Sequence, residues 1–216
     1  MFRYAKCKAK NMSIFDPVYR QKNIGGQITR TLFHIGQAVK NLFWDKSRLE
    51  HLTPAQVKSL LFINYTRKDA ITIGNLARYL TCTPATASGV IDSLERKNLI
   101  LRSRGAEDRR RVHISLTAEG ERVVGDIEDI GYEIEEIVRE FDPQEQKILE
   151  KLLLAISEKL MEKGLIFSGD ICTECCFFKR DRHLGELKPH YCENLHILLS
   201  EEEICKECPH FKKTLN

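Results

Sequence analysis

The sequence predicts a mainly α, α+β fold that carries a small cysteine-rich module at its C-terminus. Three observations predict it. Amphipathic helical patterns fill most of residues 23–163, one pair of short strand patterns interrupts them near residue 100, and most of the eight cysteines lie after residue 170. A hydrophobic content of 42% and a charged content of 30% are ordinary for a soluble globular chain.

The chain before residue 50 predicts an N-terminal arm and one long helix. Residues 1–22 are basic and irregular, which is typical of a flexible arm or a short early helix. In residues 23–48 apolar side chains recur every three or four positions, and this spacing predicts one amphipathic helix. These side chains belong to Ile28, Leu32, Ile35, Val39, Leu42 and Phe43.

Two further helices are predicted to begin at a threonine followed by a proline. Thr53-Pro54 and Thr83-Pro84 each place a capping hydroxyl before a proline, and proline suits the first helical position. Gln56 completes a capping box at the first of these starts. Between the two helices, a shorter helix is predicted to begin after Thr72 and to end near residue 80.

A two-stranded hairpin is predicted directly after the helix that begins at Pro84. Asn98 ends that helix, since asparagine tolerates the left-handed backbone that helix ends often need. Residues 99–102 and 111–116 then form two short strands around a charged tip. Two short helices followed by a hairpin make a winged helix-turn-helix.

This arrangement predicts DNA binding, although the formal net charge of +3 is modest. The second helix of such a pair can enter the major groove, and a basic hairpin can contact phosphates or the minor groove. The alternative is an ordinary solvated hairpin, and the position directly after the helix pair argues against it. The predicted contacts are Thr83, Ala85, Thr86 and Ser88 on the helix and Arg102, Arg104, Arg109, Arg110 and Arg111 on the hairpin.

Two more helices are predicted between residues 118 and 163. Thr117 begins one that runs without interruption to about residue 140, and Asp142 with Glu145 opens the next with a second capping box. Lys163-Gly164 ends the last helix. Its apolar stripe consists of Ile148, Leu149, Leu152, Leu153, Ile156 and Leu160. Because this stripe and the face of the first helix are too extended for the hairpin and the short helices to cover, residues 23–50 and 118–163 are predicted to form a homodimer interface. Burial within one chain is the alternative.

The hairpin and its flanks resemble one known family. The stretch AEDRRRVHISLTAEG at residues 106–120 is similar to the wing of the MarR family, and SLERKNLI at residues 93–100 is similar to the exit of its recognition helix. The resemblance covers residues 25–163 and implies an Asp108–Arg110 pair that orients the wing, with Arg109 nearest the minor groove. It also implies intertwined dimer helices. Gly89 departs from the basic or bulky residue common there, which puts that contact in doubt.

The C-terminal segment contains an internal repeat. Residues 171–179 align with residues 204–212, and each copy holds a C-x-x-C pair followed by an aromatic residue and a lysine. This spacing lets both sulfurs reach one metal centre, so a duplicated pair is typical of a metal site. Core cysteines or a redox disulfide are the alternative. The predicted ligands are Cys172, Cys175, Cys192, Cys205 and Cys208.

Two metal centres stay open at this stage. The two C-x-x-C pairs alone would make a closed tetrahedral zinc site. The surplus cysteines, Cys176 and Cys192, together with Cys208-Pro209, are also compatible with an iron–sulfur cluster, which is slightly favoured. The segment resembles small archaeal cysteine-rich modules thought to hold such clusters. Residues 1–22, 23–167 and 168–216 are therefore predicted as arm, winged helix-turn-helix with dimer helices, and metal module, with residues 168–170 as a hinge.

These observations predict a transcriptional regulator, expected to act as a repressor. Its partners would be double-stranded DNA with a pseudo-palindromic operator and a second copy of the chain, and redox state, metal or a small-molecule effector would change its DNA affinity. The alternatives are a redox or electron-transfer protein that uses the cysteine-rich segment, and a zinc-stabilised protein-interaction module. No nucleotide-binding loop or catalytic constellation predicts an enzyme.

The sequence also predicts a cytoplasmic location without a membrane segment. No apolar stretch approaches the roughly 20 residues that a membrane span needs. The basic first residues lack the apolar core of a signal peptide, and clustered cysteines suit a metal site in a reducing compartment.

Overall fold

The computed structural model describes residues 13–104, 112–167, 169–183 and 185–212, with the backbone alone at Arg104. Helices dominate the part before residue 165, as predicted. In chain order they are α1 (Pro17–Gln21), α2 (Ile24–Leu49), α3 (Pro54–Tyr65), α4 (Ile73–Leu80), α5 (Pro84–Arg96), α6 (Ala118–Ile127), α7 (Tyr132–Arg139) and α8 (Pro143–Glu162). Strands β1 (Ile100–Arg104) and β2 (Val112–Leu116) pair as an antiparallel hairpin. In the described ranges, no helix is both long and apolar enough to cross a membrane.

The predicted helix starts are confirmed by their capping hydrogen bonds. At the start of α3, the Gln56 N–H donates to the Thr53 hydroxyl at 3.2 Å, and the Thr53 N–H donates to the Gln56 side chain at 2.9 Å. Asp142 and Glu145 make the same reciprocal pair at the start of α8. Each capping box satisfies amide groups that a helix end would otherwise leave without a partner.

Helices α4 and α5 form the predicted helix-turn-helix. Thr72 and Thr83 cap their N-termini, and Thr81 between them adopts a left-handed backbone with φ of 54°. Asn98 is also left-handed, at φ of 56°, which confirms the predicted end of α5. The chain therefore turns sharply on both sides of α5 and enters the hairpin directly.

The hydrophobic core of the winged helix-turn-helix lies between α3, α4, α5, α6 and the hairpin. Gly120 in α6 lies against the start of β1, and a Cβ at this position would fall 2.0 Å from the Leu99 carbonyl oxygen. Only glycine allows this approach, so it fixes α6 on the hairpin. The buried apolar side chains include Val57, Leu60, Leu76, Ala87, Ile91, Leu94, Ile100, Ile114, Val123 and Ile127.

The prediction of one uninterrupted helix over residues 118–140 is wrong. A 3₁₀ turn at Glu128–Gly131 separates α6 from α7. The Tyr65 hydroxyl donates to Glu128 at 2.6 Å, and the Lys46 ammonium lies 2.6 Å from the Asp129 carboxylate. These contacts from α3 and α2 hold the turn, and Gly131 weakens helix propensity where it ends.

The two long helices leave much apolar surface exposed. In α2 the buried residues are Gly26 and Ser47, and in α8 no residue is buried. The exposed apolar side chains of these helices include Ile28, Phe33, Ile35, Trp44, Ile148, Leu152, Leu153, Leu154 and Ile156. A 20-residue helix with no buried side chain gains little from packing within its own chain.

The cysteine-rich segment folds as a small unit around a three-stranded antiparallel sheet. Its strands are β3 (Phe178–Lys179), β4 (His190–Cys192) and β5 (Ile197–Leu199), in the order β3-β4-β5, and α9 (Glu201–Ile204) follows. Three of its five buried core side chains are cysteines, and the core consists of Cys172, Cys192, Leu199, Ile204 and Cys208. We call residues 169–212 the cysteine module.

The cysteine module is docked on the winged helix-turn-helix through backbone hydrogen bonds. The Glu207 N–H donates to the Tyr65 carbonyl at 2.8 Å, and the Arg67 N–H donates to the Glu207 carbonyl at 3.1 Å. The predicted hinge at residues 168–170 is replaced by a packed junction, because the Cys208 N–H donates to the Asp170 carbonyl at 2.9 Å. Ser168 of that prediction lies outside the described residues.

Candidate DNA-binding surface and cysteine site

The N-terminal end of α5 presents small polar and methyl-bearing side chains to solvent. Thr83, Ala85 and Thr86 are exposed and Ser88 is half-buried, whereas the opposite face of the helix lies in the core. The Thr83 hydroxyl accepts the Thr86 N–H at 3.2 Å and lies 2.9 Å from the Thr86 hydroxyl. Thr83 therefore fixes the helix end, and the exposed face it shares with Ala85 has the size and polarity to enter a major groove.

Arg102 at the base of the hairpin is paired with α5. Its Nη2 lies 2.5 Å from the Asp92 carboxylate and its Nε lies 3.6 Å from the Glu95 carboxylate. The Arg102 side chain is 28% exposed. The guanidinium therefore ties the hairpin to the helix-turn-helix and sets the angle between them.

The tip of the hairpin lies outside the described residues. This applies to Asp108, Arg109, Arg110 and Arg111 and to the side chain of Arg104, so their DNA contacts stay predictions. The last described pair in the hairpin register is Arg104 with Val112.

The structure brings three of the predicted ligand cysteines into one buried cluster. Cys172, Cys192 and Cys208 are between 4% and 7% exposed and share the core of the cysteine module. Cys175 is half-buried, and Cys205 is exposed. The two halves of the sequence repeat are thus not equivalent, because the buried partner is the first cysteine of one pair and the second of the other.

The side chains of Cys172 and Cys208 are hydrogen-bonded to each other. The bond from Cys172 lowers the pKa of Cys208, and burial opposes this effect. The charge of Arg67 and a backbone hydrogen bond from His210 lower that pKa further. The same hydrogen bond, together with burial, raises the pKa of Cys172. Of the two thiols, Cys208 therefore has the lower pKa.

Arg67 supplies a buried positive charge to this pair. Its side chain is 1% exposed, and its Nη1 donates to the Cys172 sulfur at 3.5 Å. Burial alone would lower the pKa of Arg67, but hydrogen bonding to Asp69 and the charges of Asp69, Cys208 and Cys172 raise it. No local sequence pattern points to this residue, which lies 105 positions before Cys172.

These features favour ionised sulfurs, but within the described ranges no three cysteine sulfurs lie within 4.8 Å of one another. A backbone N–H directed at Cys208 and a nearby cation both favour the ionised sulfur that a metal needs as ligand. Of the predicted ligands, Cys172 and Cys208 are hydrogen-bonded to each other, Cys192 lies in the same buried core, and Cys205 is exposed.

A second group of ionisable residues lies in the cysteine module, around the fully buried His190. Within the described ranges, Asp181, His190 and Glu201 place one potential ligand atom each within 4.8 Å of the others. The Nδ1 of His190 accepts the Asp181 N–H at 3.2 Å, and its Nε2 lies 2.9 Å from Glu201 Oε1. The two carboxylates face opposite ring nitrogens, and one ion cannot bind both nitrogens. The arrangement clamps the imidazole rather than converging on a metal.

Comparison with known proteins gives consistent matches for the winged helix-turn-helix. The model of the MarR family matches residues 52–112. The chain is 30% identical over 139 residues to the uncharacterized HTH-type transcriptional regulator YsmB of Bacillus subtilis (strain 168), which covers 63% of this chain and 92% of that protein. It is 33% identical over 92 residues to the HTH-type transcriptional regulator FarR of Neisseria gonorrhoeae, covering 43% of this chain and 59% of that protein.

Solved structures match over the same share of the chain. S. aureus MepR in its DNA-binding conformation superposes with a TM-score of 0.54 at 27% identity, covering 62% of this chain and 98% of that protein. The S. aureus MepR–DNA complex gives a TM-score of 0.53 at 27% identity, covering 61% and 97%. The expectation of a winged helix-turn-helix fold is thereby confirmed. The chain belongs to the MarR family of DNA-binding transcriptional regulators.

Proposed function

We propose that this protein is a dimeric, sequence-specific transcriptional regulator, acting as a repressor, whose DNA affinity depends on a metal–thiolate centre in the cysteine module. The observation that carries the proposal is the docking of that module on the segment that leads into the helix-turn-helix. Glu207 lies next to Cys208, and its backbone pairs with Tyr65 and Arg67. Metal binding or oxidation at the sulfurs would therefore act directly on the winged helix-turn-helix, which we call the DNA-binding half.

The DNA contact would use the exposed end of α5 and the arginines of the hairpin tip. Ala85 and Thr86 offer methyl groups and one hydroxyl to base edges. Arg109 would reach the phosphates or the minor groove beside the recognition helix. In a two-fold symmetric dimer, these elements favour a pseudo-palindromic site with half-sites about one helical turn apart.

A second copy of the chain would cover the exposed apolar faces of α2 and α8. Leu152 and Ile148 are 57% and 60% exposed, and they belong to a helix without a buried residue. Large apolar patches of this kind mark an interface. Replacing Leu152 with Glu should convert a dimer to monomers in analytical ultracentrifugation, and replacing the charged Lys159 on the same helix with Glu serves as control.

The metal would be held by cysteines of the module, with Cys172 and Cys208 among them. A bound zinc ion would supply folding energy and no redox chemistry, whereas an iron–sulfur cluster would make the centre sensitive to oxidation. We favour the cluster slightly because Cys192 is buried beside the pair. Anaerobic purification with metal analysis and a visible absorption spectrum decides between them, since a cluster absorbs near ~400 nm and zinc is colourless.

One binding experiment tests the regulator itself. A duplex is first selected from a random-sequence pool by the wild-type chain, and binding is measured by fluorescence anisotropy over a range of salt concentrations. We expect Arg109→Ala to weaken binding and to lower the slope of log affinity against log salt by about one unit. Arg139→Ala, which removes an exposed arginine of α7 paired with Glu135, is the control. Unchanged binding by Arg109→Ala across all salt concentrations would remove the wing from the proposal.

A further inference from the structure

An open cavity of about 530 Å³ lies between the hairpin and the cysteine module. One wall comes from the end of α3 and from the hairpin, and the other comes from residues 200–206, around α9. Small-molecule sites usually have volumes of roughly 300–1,000 Å³, so the cavity has room for a metabolite. The MarR family model matches residues 52–112, so the wall around α9 lies outside the matched segment.

The best-buried part of the lining is largely apolar. Ile71 and Ile114 are buried, and Leu116 is half-buried. Contact with such side chains removes apolar ligand surface from water, which favours binding. The cavity therefore suits a ligand with an apolar body.

Lys206 supplies a half-buried positive charge to the cavity. Its ammonium group donates to the Asn64 carbonyl at 3.0 Å, which holds the side chain against α3. An ammonium group has three donors, so two remain for a ligand. Among the described residues, no carboxylate forms an ion pair with Lys206. The group is therefore available to bind an anion such as a carboxylate.

Thr66 adds a hydroxyl to the lining near Lys206. Its backbone pairs with Glu207 in a parallel bridge, and Glu207 follows Lys206 directly. The Thr66 hydroxyl is buried, and it has no hydrogen-bond partner in the part of the chain that the structure describes. A buried hydroxyl without a partner costs free energy, which a ligand oxygen that accepts its proton would offset.

Glu202 places a negative charge on the wall that carries Lys206. It lies four positions before Lys206 and is exposed, and within the described ranges it forms no ion pair. A simple anion bound at Lys206 would be repelled by this carboxylate, whereas a ligand that also carries an ammonium group would be attracted. The wall therefore favours a ligand with both charges.

The other charged side chains of the lining add little to this balance. Arg67 and Glu203 already have ion-pair partners. Lys68 and Glu121, on the DNA-binding half, are exposed and carry opposite charges. The two charges on the wall around α9 thus decide which charges a ligand needs.

We propose that this cavity binds a zwitterionic metabolite with an apolar side chain, the chemistry of an apolar α-amino acid. Its carboxylate would accept hydrogen bonds from Lys206 and Thr66, and its ammonium group would face Glu202. Its side chain would pack against Ile71 and Ile114. Such a ligand would contact the hairpin and the cysteine module at the same time. The site goes beyond the proposed function, and its binding needs no metal.

Isothermal titration calorimetry of the full chain tests the site with L-leucine, L-methionine and L-phenylalanine. The amino acid that binds most tightly is then compared with its deamino and decarboxy analogues, which are phenylpropanoate and phenylethylamine in the case of phenylalanine. We expect the amino acid to bind more tightly than either analogue. The amine should bind most weakly, because it lacks the carboxylate that Lys206 and Thr66 would hold.

Two variants test the two ends of the ligand separately. Lys206→Gln should weaken binding of the amino acid by about tenfold to a hundredfold, because a half-buried charged hydrogen bond is lost. Glu202→Gln should weaken it by about twofold to fivefold, since solvent screens an exposed charge. The same variant should not weaken binding of the deamino analogue. Lys212→Gln, an exposed charge of the module outside the cavity, is the control and should bind within about twofold of the wild type.

Circular dichroism shows whether Lys206→Gln keeps its fold, and Glu202→Gln tests the site independently because Glu202 is exposed. If the wild type binds none of the three amino acids at millimolar concentration, or if a folded Lys206→Gln binds as tightly as the wild type, the site is overturned while the proposed function stands. A deamino analogue that binds as tightly as the amino acid, or that loses as much affinity in Glu202→Gln, overturns the zwitterionic ligand.

Discussion

The DNA-binding half and the cysteine module are stabilised in different ways. In the first, α3 through α6 and the hairpin enclose a continuous set of aliphatic side chains, with Leu60, Ile91 and Leu94 fully buried. In the second, the buried core is formed largely by cysteines, with Leu199 and Ile204 beside them. Burial of apolar area stabilises the first half without any ligand. The module buries few apolar side chains, so it gains less free energy of folding from its core than the first half does.

Removal of the proposed metal should have the largest effect and should act on one half of the molecule alone. We expect a strong chelator to make the cysteine module sensitive to trypsin at sites such as Lys179 and Arg182, because the thiolates would then repel one another or take up protons. Sites in the DNA-binding half, such as Arg96 in α5, should keep their protection. Limited proteolysis with mass spectrometry measures both sets in one sample.

Equal protection of the module before and after complete metal removal would contradict this difference between the halves. The untreated chain and a chain treated with metal-saturated chelator are the controls. Metal analysis of the treated sample confirms that the ion has left.

The variant Leu94→Ala tests the hydrophobic core of the DNA-binding half. Leu94 is fully buried in α5, so its truncation should lower the free energy of unfolding by about 2–5 kcal/mol. Urea denaturation followed by circular dichroism measures the change. Leu101→Ala, at a side chain 54% exposed on β1, should change it by less than about 0.5 kcal/mol. Neither variant should change the trypsin sensitivity of the cysteine module, and a large change in Leu94→Ala would mean that the halves fold as one unit.

Gly120→Ala should destabilise the DNA-binding half by about 1–3 kcal/mol. The added methyl would fall 2.0 Å from the Leu99 carbonyl oxygen, so α6 or the hairpin must move. Gly125→Ala in the same helix is the matched control, since nothing lies within 4 Å of a Cβ there. Because alanine has the higher helix propensity, that control should stabilise the chain by up to about 1 kcal/mol. Thermal unfolding of the two variants side by side checks the opposite signs.

Local signals predicted the first half well and its tertiary junctions poorly. The capping pair Thr53–Gln56 and the left-handed Asn98 depend on residues close in sequence, and both were predicted correctly. The break between α6 and α7 was missed because it is held by Tyr65, which lies 63 positions before its partner Glu128. No local pattern carries such a contact.

For the candidate site too, the sequence predicted the local features and not the tertiary contacts. The C-x-x-C repeat identified the cysteines, but it could not show that Cys172 and Cys208 would be the buried pair and Cys205 exposed. That difference arises because the second pair docks through Glu207 on Tyr65 and Arg67. A repeat in sequence predicts equivalent positions, and the docking surface makes them inequivalent.

Replacement of Arg102 has the smallest expected effect on stability, and it tests how this residue contributes to DNA binding. Its ion pairs with Asp92 and Glu95 are partly exposed, so Arg102→Gln should change the free energy of unfolding by less than about 1 kcal/mol. If Arg102 fixes the hairpin to α5, the variant weakens DNA binding, but the slope of log affinity against log salt stays the same. If Arg102 binds a phosphate directly, the slope falls by about one unit. Fluorescence anisotropy titrations over a salt series distinguish the two roles, and Arg139→Gln is the control. We expect the slope to stay unchanged, because the Arg102 guanidinium already has two carboxylate partners.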